Sequence, residues 1–380
     1  MTRRVLVVTS SRADYGLLRP TLLAIKSHEA LQLVLVVTGT HLSERHGSTV
    51  DEIIADGLAI DYRVDLNLDD LSDSTKDTIT AFSRAVVGVG EILDTHKPDV
   101  LLVLGDRYEI LAACTAALIA TVPVAHIHGG ELTFGAFDDT IRHAITKIAC
   151  LHFPVDEVYA SRIRQLGESP NRIFTVDPLV QETIERFTPQ DRQNLEARLG
   201  IRLLDPVIAV TYHPVTLNLA RSIHELRELL AALEAFPEAT FVVTGSNADP
   251  QHQAHLSLLQ EFVHLDSRRR IFVESLGHYT YLSLLMIATA VVGNSSSGVI
   301  EAPMVGTPSI NIGARQDGRI HPDSVIDVQG DRQQILRAIK SVSSAKQPRK
   351  ALRSKRPASQ VITEVLAAVE LSSQKVFNDL

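Results

Sequence analysis

The chain has 380 residues, 45% hydrophobic and 22% charged, which is enough for two α/β domains and excludes disorder, collagen-like repeats and coiled coil. A net charge of −8 argues against a general nucleic-acid binder, which needs a basic face, while leaving room for a local phosphate pocket. Two cysteines, Cys114 and Cys150, are too few for a disulfide framework and read as packed thiols in a reducing, cytoplasmic setting. Neither a secretion signal nor a membrane span is expected. The opening apolar run at 5–8 is short, and the stretch 111–125 is broken by Thr115, Thr121 and Pro123.

Apolar runs at 5–9, 33–38, 100–105, 122–127, 151–154 and 173–176 are continuous rather than alternating, which predicts strands buried on both faces of a parallel sheet. Helical spacing over 17–27, 74–96, 109–120, 139–149 and 157–166 falls between them, giving a βαβ rhythm. Near residue 180 the rhythm restarts with a helix at 191–199, stopped by Gly200. Strands follow at 207–211, 240–244, 271–273, 290–292 and 309–312, with helices at 220–235, 279–288, 298–304 and 332–341. The expectation is an α/β chain of two Rossmann-like, doubly wound domains, 1–180 and 181–345, with an interdomain cleft at the carboxyl ends of their strands. Residues 343–357 are basic and proline-bearing and read as a solvated linker; the amphipathic stretch 358–372 is placed to pack back on the first domain.

Polar residues gather where the strands end. After the first strand, Thr9-Ser10-Ser11-Arg12 leads into a helix, so backbone N–H groups and the Arg12 guanidinium suit a diphosphate. The strand at 100–105 delivers Asp106 and Arg107 to the same edge. The densest segment runs from His126 through His128, Gly129, Gly130 and Glu131 to Asp138, Asp139, Arg142 and His143. Asp138 and Arg142, four residues apart, share a helix face. A metal held by His126, His128, Glu131 and Asp138 is disfavoured by the lack of a compact ligand motif, and an acid–base cluster is the better reading.

In the second half, His213 follows a strand and Pro214 directs the chain after it. The loop holding Asn247 lies at the same edge. Ser295, Ser296, Ser297 and Gly298 sit between a strand and a helix, which makes a phosphate cradle of hydroxyls, amides and helix dipole. No Walker lysine accompanies it. Glu301, one turn further, can take a ribose diol, and Arg315 and Arg319 add cations after the next strand.

The segments SRADYG, VTGTHLS, GDRYE, HIHGGE with FDDTIRHAITK, HPVT, GSNAD, GNSSSGVIEAP and INIGARQDGR, in that order over 10–319, resemble the hydrolysing UDP-N-acetylglucosamine 2-epimerases of sialic-type acid synthesis. The resemblance implies the two-domain GT-B architecture and loss of UDP from UDP-GlcNAc as the C2 proton leaves. A 2-acetamidoglucal would then be hydrated to ManNAc. It places Asp106, Asp138, Arg142 and His213 at catalytic positions, and Arg12, Arg107, Asn247, Ser295, Ser296, Glu301 and Arg315 at nucleotide-binding ones. It implies a UDP-sugar as the partner, no cofactor and no essential metal, no nucleic acid or membrane, and a homodimer or dimer of dimers.

The chain departs from the pattern at His128, where many relatives carry glutamate, so either Glu131 or His128 itself would shuttle the proton. Residues 175–179 also lack the relatives' glycine-rich interdomain turn. Similar enzymes act on UDP- or GDP-linked 2,4-diacetamido sugars or on GDP-GlcNAc for legionaminic acid, and no residue decides between these substrates. A GT-B glycosyltransferase and a non-catalytic sugar-nucleotide sensor are the rival readings. The first would need an acceptor, and the second would bind UDP and turn nothing over.

Overall fold

The computed structural model describes residues 2–72, 74–134, 136–215, 218–245, 252–342 and 356–379. The chain divides into two compact units, one of Met1–Glu131, Asp138–Glu185 and Arg353–Leu380, the other of Leu132–Phe137 and Arg186–Leu352.

In the first unit six strands are introduced in chain order: β1 Arg3–Thr9, β2 Leu31–Thr38, β3 Tyr62–Val64, β4 Val100–Leu104, β5 Val124–Ile127 and β6 Leu151–Phe153. All pair in parallel, in the order β3-β2-β1-β4-β5-β6. The second unit repeats this with β7 Val207–Thr211, β8 Thr240–Thr244, β9 Arg270–Val273, β10 Ala290–Gly293, β11 Ser309–Ile312 and β12 Val325–Val328. Their order is β12-β11-β10-β7-β8-β9, again all parallel. In each sheet the order reverses beside the first strand, between β1 and β4 and between β7 and β10, and such a switch point opens a crevice beyond the strand ends.

The central strands are apolar along their buried stretch because helices cover both faces. Val5 and Val7 of β1 pack with Leu18, Leu22 and Ile25, whereas Leu6 and Val8 pack on the opposite side with Val89, Ala112 and Ala113. Each fully buried Val, Leu or Ile contributes roughly 1.5–3 kcal/mol. The helix Ala358–Ala368 brings Ala358, Ile362 and Leu366 to the first of these clusters, one turn apart along a single stripe, and packs on the helix Arg12–Ser27. The buried Glu182 carboxylate accepts from the Ser359 N–H and hydroxyl at 3.2 and 2.8 Å, which caps that contact.

Some elements differ from the sequence reading. Residues 173–176 form a single bridge, His152 to Ile173, rather than a strand, since the short β6 closes at Pro154 and the register runs out. The edge strands β3 and β12 are absent from that reading because Arg63 and Asp327 interrupt their apolar character. The helices Leu179–Arg186 and His252–His264 also went unread. The chain passes between units at Glu185–Arg186 rather than near 180, because Leu179 and Val180 at the start of that helix are buried, Leu179 within the first core.

Candidate functional site

The first helix begins at Arg12 rather than Leu17, because Ser11 caps it and Asp14 closes a capping box. The Asp14 carboxylate accepts from the Ser10 and Ser11 N–H groups at 3.0 and 3.1 Å and from the Thr9 and Ser10 hydroxyls. Two of the amides expected to face an anion are therefore bound internally; Arg12 stands at the first helical position. Behind this turn His41 is fully buried, with Nε2 3.0 Å from Thr9 Oγ1 and Nδ1 2.7 Å from Thr49 Oγ1. Burial holds its pKa down at about 4, against the pull of Asp14.

Across the switch point, β4 is followed by Gly105, whose carbonyl accepts from His126 Nε2 at 2.8 Å. His126 is fully buried in β5 and burial lowers its pKa to about 3, so it is a neutral imidazole that secures the turn into Asp106. Arg107 caps the next helix and makes a two-pronged ion pair with buried Glu109, at 3.1 and 2.9 Å.

The helix Asp138–Ile148 lays Arg142 into the cluster. Arg142 is 1% exposed, donates to the Asp106 carboxylate and to the Glu131 carbonyl at 3.0 Å, and lies 3.4 Å from Asp139. Burial alone would weaken its proton affinity, but Asp106, Glu131 and Asp139 outweigh burial and raise its pKa. The helix spacing suggested Asp138 as the carboxylate that Arg142 steadies; the contact to Asp106 comes from a strand end 36 residues away in sequence. Asp138 is the first residue of that helix, and His143 Nε2 lies 3.6 Å from Asp139.

His128 departs most from the strand pattern. β5 ends at Ile127, and His128 takes a left-handed backbone, φ +66°, so alternation no longer sets its direction. Its Nδ1 lies 2.5 Å from Glu131 Oε1, and both side chains are nearly inaccessible. Its Nε2 is buried without a hydrogen-bond partner among the described residues. Gly130 allows the chain to fold back here, since a Cβ on it would meet the Tyr159 carbonyl at 2.4 Å. The result is an imidazole oriented by a carboxylate beside an arginine-held carboxylate, a pairing suited to proton transfer.

The second unit builds its own strand-end cluster. β10 approaches β7 so closely that a Cβ on Gly293 would lie 1.9 Å from the Thr211 carbonyl. The next residue, Asn294, is fully buried and accepts from the His213 N–H at 2.7 Å while donating to the His213 carbonyl at 2.8 Å. The Asn294 carbonyl accepts from Arg315 at 3.1 Å and from Gln316 at 2.8 Å. His213 Nε2 lies 3.4 Å from Ser295 Oγ, and Ser297 Oγ lies 2.5 Å from the Tyr281 hydroxyl. Asn294, Gln316 and Tyr281 were missed in the sequence; Asn294 stood inside the serine motif, read only for its hydroxyls.

The single helix expected at 298–304 is two four-residue pieces, Ser296–Val299 and Glu301–Met304, broken at Ile300. Pro303 lacks the N–H that would bond the Val299 carbonyl and continue the ladder. So short a turn carries little dipole, and Ser295, its cap, offers the Ser297 amide a 3.4 Å contact instead. Gly298 lies where a Cβ would meet Ser309 Oγ at 2.7 Å, and Glu301 opens the second piece, half-buried. Asn247 lies outside the described residues.

Among the described residues, no group of three or more His, Cys, Asp or Glu side chains is arranged to hold a metal ion. No described helix is long and apolar enough to cross a membrane. Cys114 and Cys150 are buried free thiols whose pKa values burial raises.

The family model described as UDP-N-acetylglucosamine 2-epimerase matches residues 23–367. The chain is 36% identical over 325 residues to the GDP/UDP-N,N'-diacetylbacillosamine 2-epimerase (hydrolyzing) of Campylobacter jejuni, covering 86% of this chain and 84% of that one. It is 35% identical to the polysialic acid biosynthesis protein P7 of Escherichia coli, over 89% and 85% of the two chains. It is 32% identical to the UDP-N,N'-diacetylbacillosamine 2-epimerase (hydrolyzing) of Legionella pneumophila, over 90% and 89%. In fold it is similar to the UDP-GlcNAc 2-epimerase of Neisseria meningitidis bound to UDP-GlcNAc, with TM-score 0.77 and 17% identity over 96% of this chain and 99% of that one. The Methanocaldococcus jannaschii UDP-GlcNAc 2-epimerase in complex with UDP-GlcNAc and UDP gives 0.78 and 18% over the same shares. The two six-stranded parallel sheets are thus the two Rossmann-like domains of the GT-B architecture.

Proposed function

The chain belongs to the UDP-N-acetylglucosamine 2-epimerase family and is an epimerase, and from that premise we propose that it hydrolyses a nucleotide-linked 2-acetamido sugar with inversion at C2. The observation that carries the reading is the pairing of His128 with Glu131 and of Arg142 with Asp106 at neighbouring strand ends beside the switch point.

In this reading His128 takes the C2 proton through Nε2 while Glu131 stabilises the imidazolium that forms. The electrons of the C2–H bond become the C1–C2 double bond, and the C1–O bond to the diphosphate breaks. Water then adds its hydroxyl at C1, and a proton returns to C2 on the opposite face. Asp106, held by Arg142, serves that second transfer, with Asp138 nearby in sequence as a further carboxylate. The leaving nucleoside diphosphate needs cations and preorganised donors, for which the second unit's strand-end cluster offers His213, Ser295, Ser296, Ser297 and Arg315, with Glu301 for the ribose.

As to the sugar, relatives at 36% and 32% identity are named for diacetylbacillosamine, which favours a UDP- or GDP-linked 2,4-diacetamido-6-deoxy sugar over UDP-GlcNAc. Release of ManNAc for sialic acid is the second reading, favoured by the 35% match to the polysialic acid protein. The test is incubation with UDP-GlcNAc and with UDP- and GDP-linked 2,4-diacetamido sugars in D2O, without acceptor. Free nucleoside diphosphate and a free 2-epimer carrying deuterium at C2 are expected. Release of diphosphate with protium retained at C2 would overturn the elimination route, and a requirement for an acceptor would favour a transferase.

A further inference from the structure

The helix that carries Asp138, Asp139 and Arg142 is held at its other end by a segment more than 200 residues away. Lys375 Nζ donates to the carbonyls of Lys147 at 2.7 Å, Ala149 at 2.5 Å and Thr146 at 3.4 Å. Thr146 and Lys147 lie in the helix's last turn, where carbonyls have no partner within the helix, Ala149 follows it, and a cation there also complements the helix dipole. Lys375 lies 2.7 Å from Glu168, which is 3% exposed and also accepts from Lys147 at 2.7 Å and from buried His152 at 3.1 Å. Burial alone would raise the Glu168 pKa, but these donors bring it down to about 2, so the carboxylate stays charged inside the network.

The contact extends beyond one side chain. Phe377 packs on Gly167 and under the Lys147 ammonium, 5.0 Å from its centroid, and the Asn378 N–H donates to the Gly167 carbonyl at 3.0 Å. Within the helix, the Thr146 hydroxyl donates back to the Arg142 carbonyl at 3.0 Å, linking the clamped turn to the arginine that holds Asp106. The preceding helix Ala358–Ala368 is fixed separately, by its apolar stripe and by Glu182. The segment 372–379 therefore adds little core and joins the end of that helix to the turn at Gly167 and Glu168.

We propose that Lys375 is a positioning residue: the segment 372–379 clamps the carboxyl end of the Asp138–Ile148 helix and so keeps Asp138 and Arg142 in register for turnover. The proposal rests on reading that helix as part of the active site.

The test compares wild type, K375M, K375R and a chain stopped after Leu371, by steady-state kinetics, UDP calorimetry and amide hydrogen exchange. In K375M and the shortened chain kcat should fall about 10- to 100-fold, as displaced catalytic groups do, with KM and UDP affinity unchanged. K375R, which keeps a cation for Glu168 and the carbonyls, should recover most of the loss. Amides of 138–148 should exchange faster in K375M while those of β1 and β4 do not. Wild-type kcat in both K375M and the shortened chain, or unchanged protection of 138–148, would overturn the clamp. So would a parallel loss of UDP binding and of protection throughout, which marks a general structural role. If wild type turns over no nucleotide sugar, the functional reading fails, and hydrogen exchange still decides the clamp.

Discussion

Replacing Glu131 by glutamine removes a charge and almost nothing else. Glu131 is 3% exposed, and its side chain meets His128 Nδ1 at 2.5 Å. Glutamine can still accept from that nitrogen, so the imidazole keeps its direction. The Glu131 carbonyl, which accepts from Arg142 at 3.0 Å, belongs to the backbone and is untouched. What changes is the transition state, where His128 gains positive charge as it takes the C2 proton and an amide stabilises that charge less than a carboxylate does. A hydrogen bond to a charged group contributes about 1.5–3 kcal/mol, and at 1.36 kcal/mol per factor of ten E131Q should lower kcat roughly 10- to 150-fold. KM should hold, because the interaction develops only in the transition state. The assay is stopped-flow or discontinuous release of the nucleoside diphosphate, with deuterium at C2 scored in the same samples. The left-handed backbone at His128 is itself strained by about 1–3 kcal/mol, a cost found where function holds it in place. An E131Q enzyme with wild-type kcat, or one whose whole loss lies in KM, would refute the assignment of His128 as base.

Asp106→Asn should lower kcat by roughly 10²–10⁴ while UDP affinity holds, measured by kinetics and calorimetry together; wild-type turnover would remove Asp106 from the chemistry. Arg12→Ala should weaken UDP binding by about 1.5–3 kcal/mol, and unchanged calorimetric affinity would take Arg12 out of the diphosphate site. Gly293→Ala must push β10 away from the Thr211 carbonyl, 1.9 Å from the added carbon, at about 1–3 kcal/mol of stability and with weaker UDP binding; an unchanged melting temperature would contradict that packing. Acid should destabilise the fold through its buried neutral histidines. His41 drops from 6.5 to about 4 and His126 to about 3 on folding, so between pH 6.5 and 4 the unfolded chain binds protons that the folded one excludes, and stability rises with pH across that window. Thermal melts should show a fall in Tm from pH 6.5 to 4 that is shallower in H41Q, and an identical slope in that variant would rule His41 out as a source.

Much of the architecture was legible in the residue order. Strands covered on both faces are apolar along their buried stretch, so β1, β4, β7 and β10 announced themselves as continuous runs, with polar residues following at their carboxyl ends. Asp106, His128, Glu131, Arg142 and His213 were all visible in this way, as strand-end or helix-start groups. Their partnerships were not. Helix spacing put Asp138 on the face of Arg142 but gave no sign that the guanidinium also reaches Asp106, because a side chain buried between elements answers to the neighbouring strand as well as to its own helix. Strand periodicity stops at Ile127, and the left-handed residue one step past β5 is what turned His128 onto Glu131. Asn294 looked like a spacer among serines until β7 and β10 came close enough for it to staple the His213 backbone. Nothing in the sequence marks Lys375, and only folding carried it to the end of the Asp138–Ile148 helix. Local periodicity encodes which face of an element is buried; which groups meet across that face depends on contacts tens to hundreds of residues apart, and those exist only once the sheets have formed.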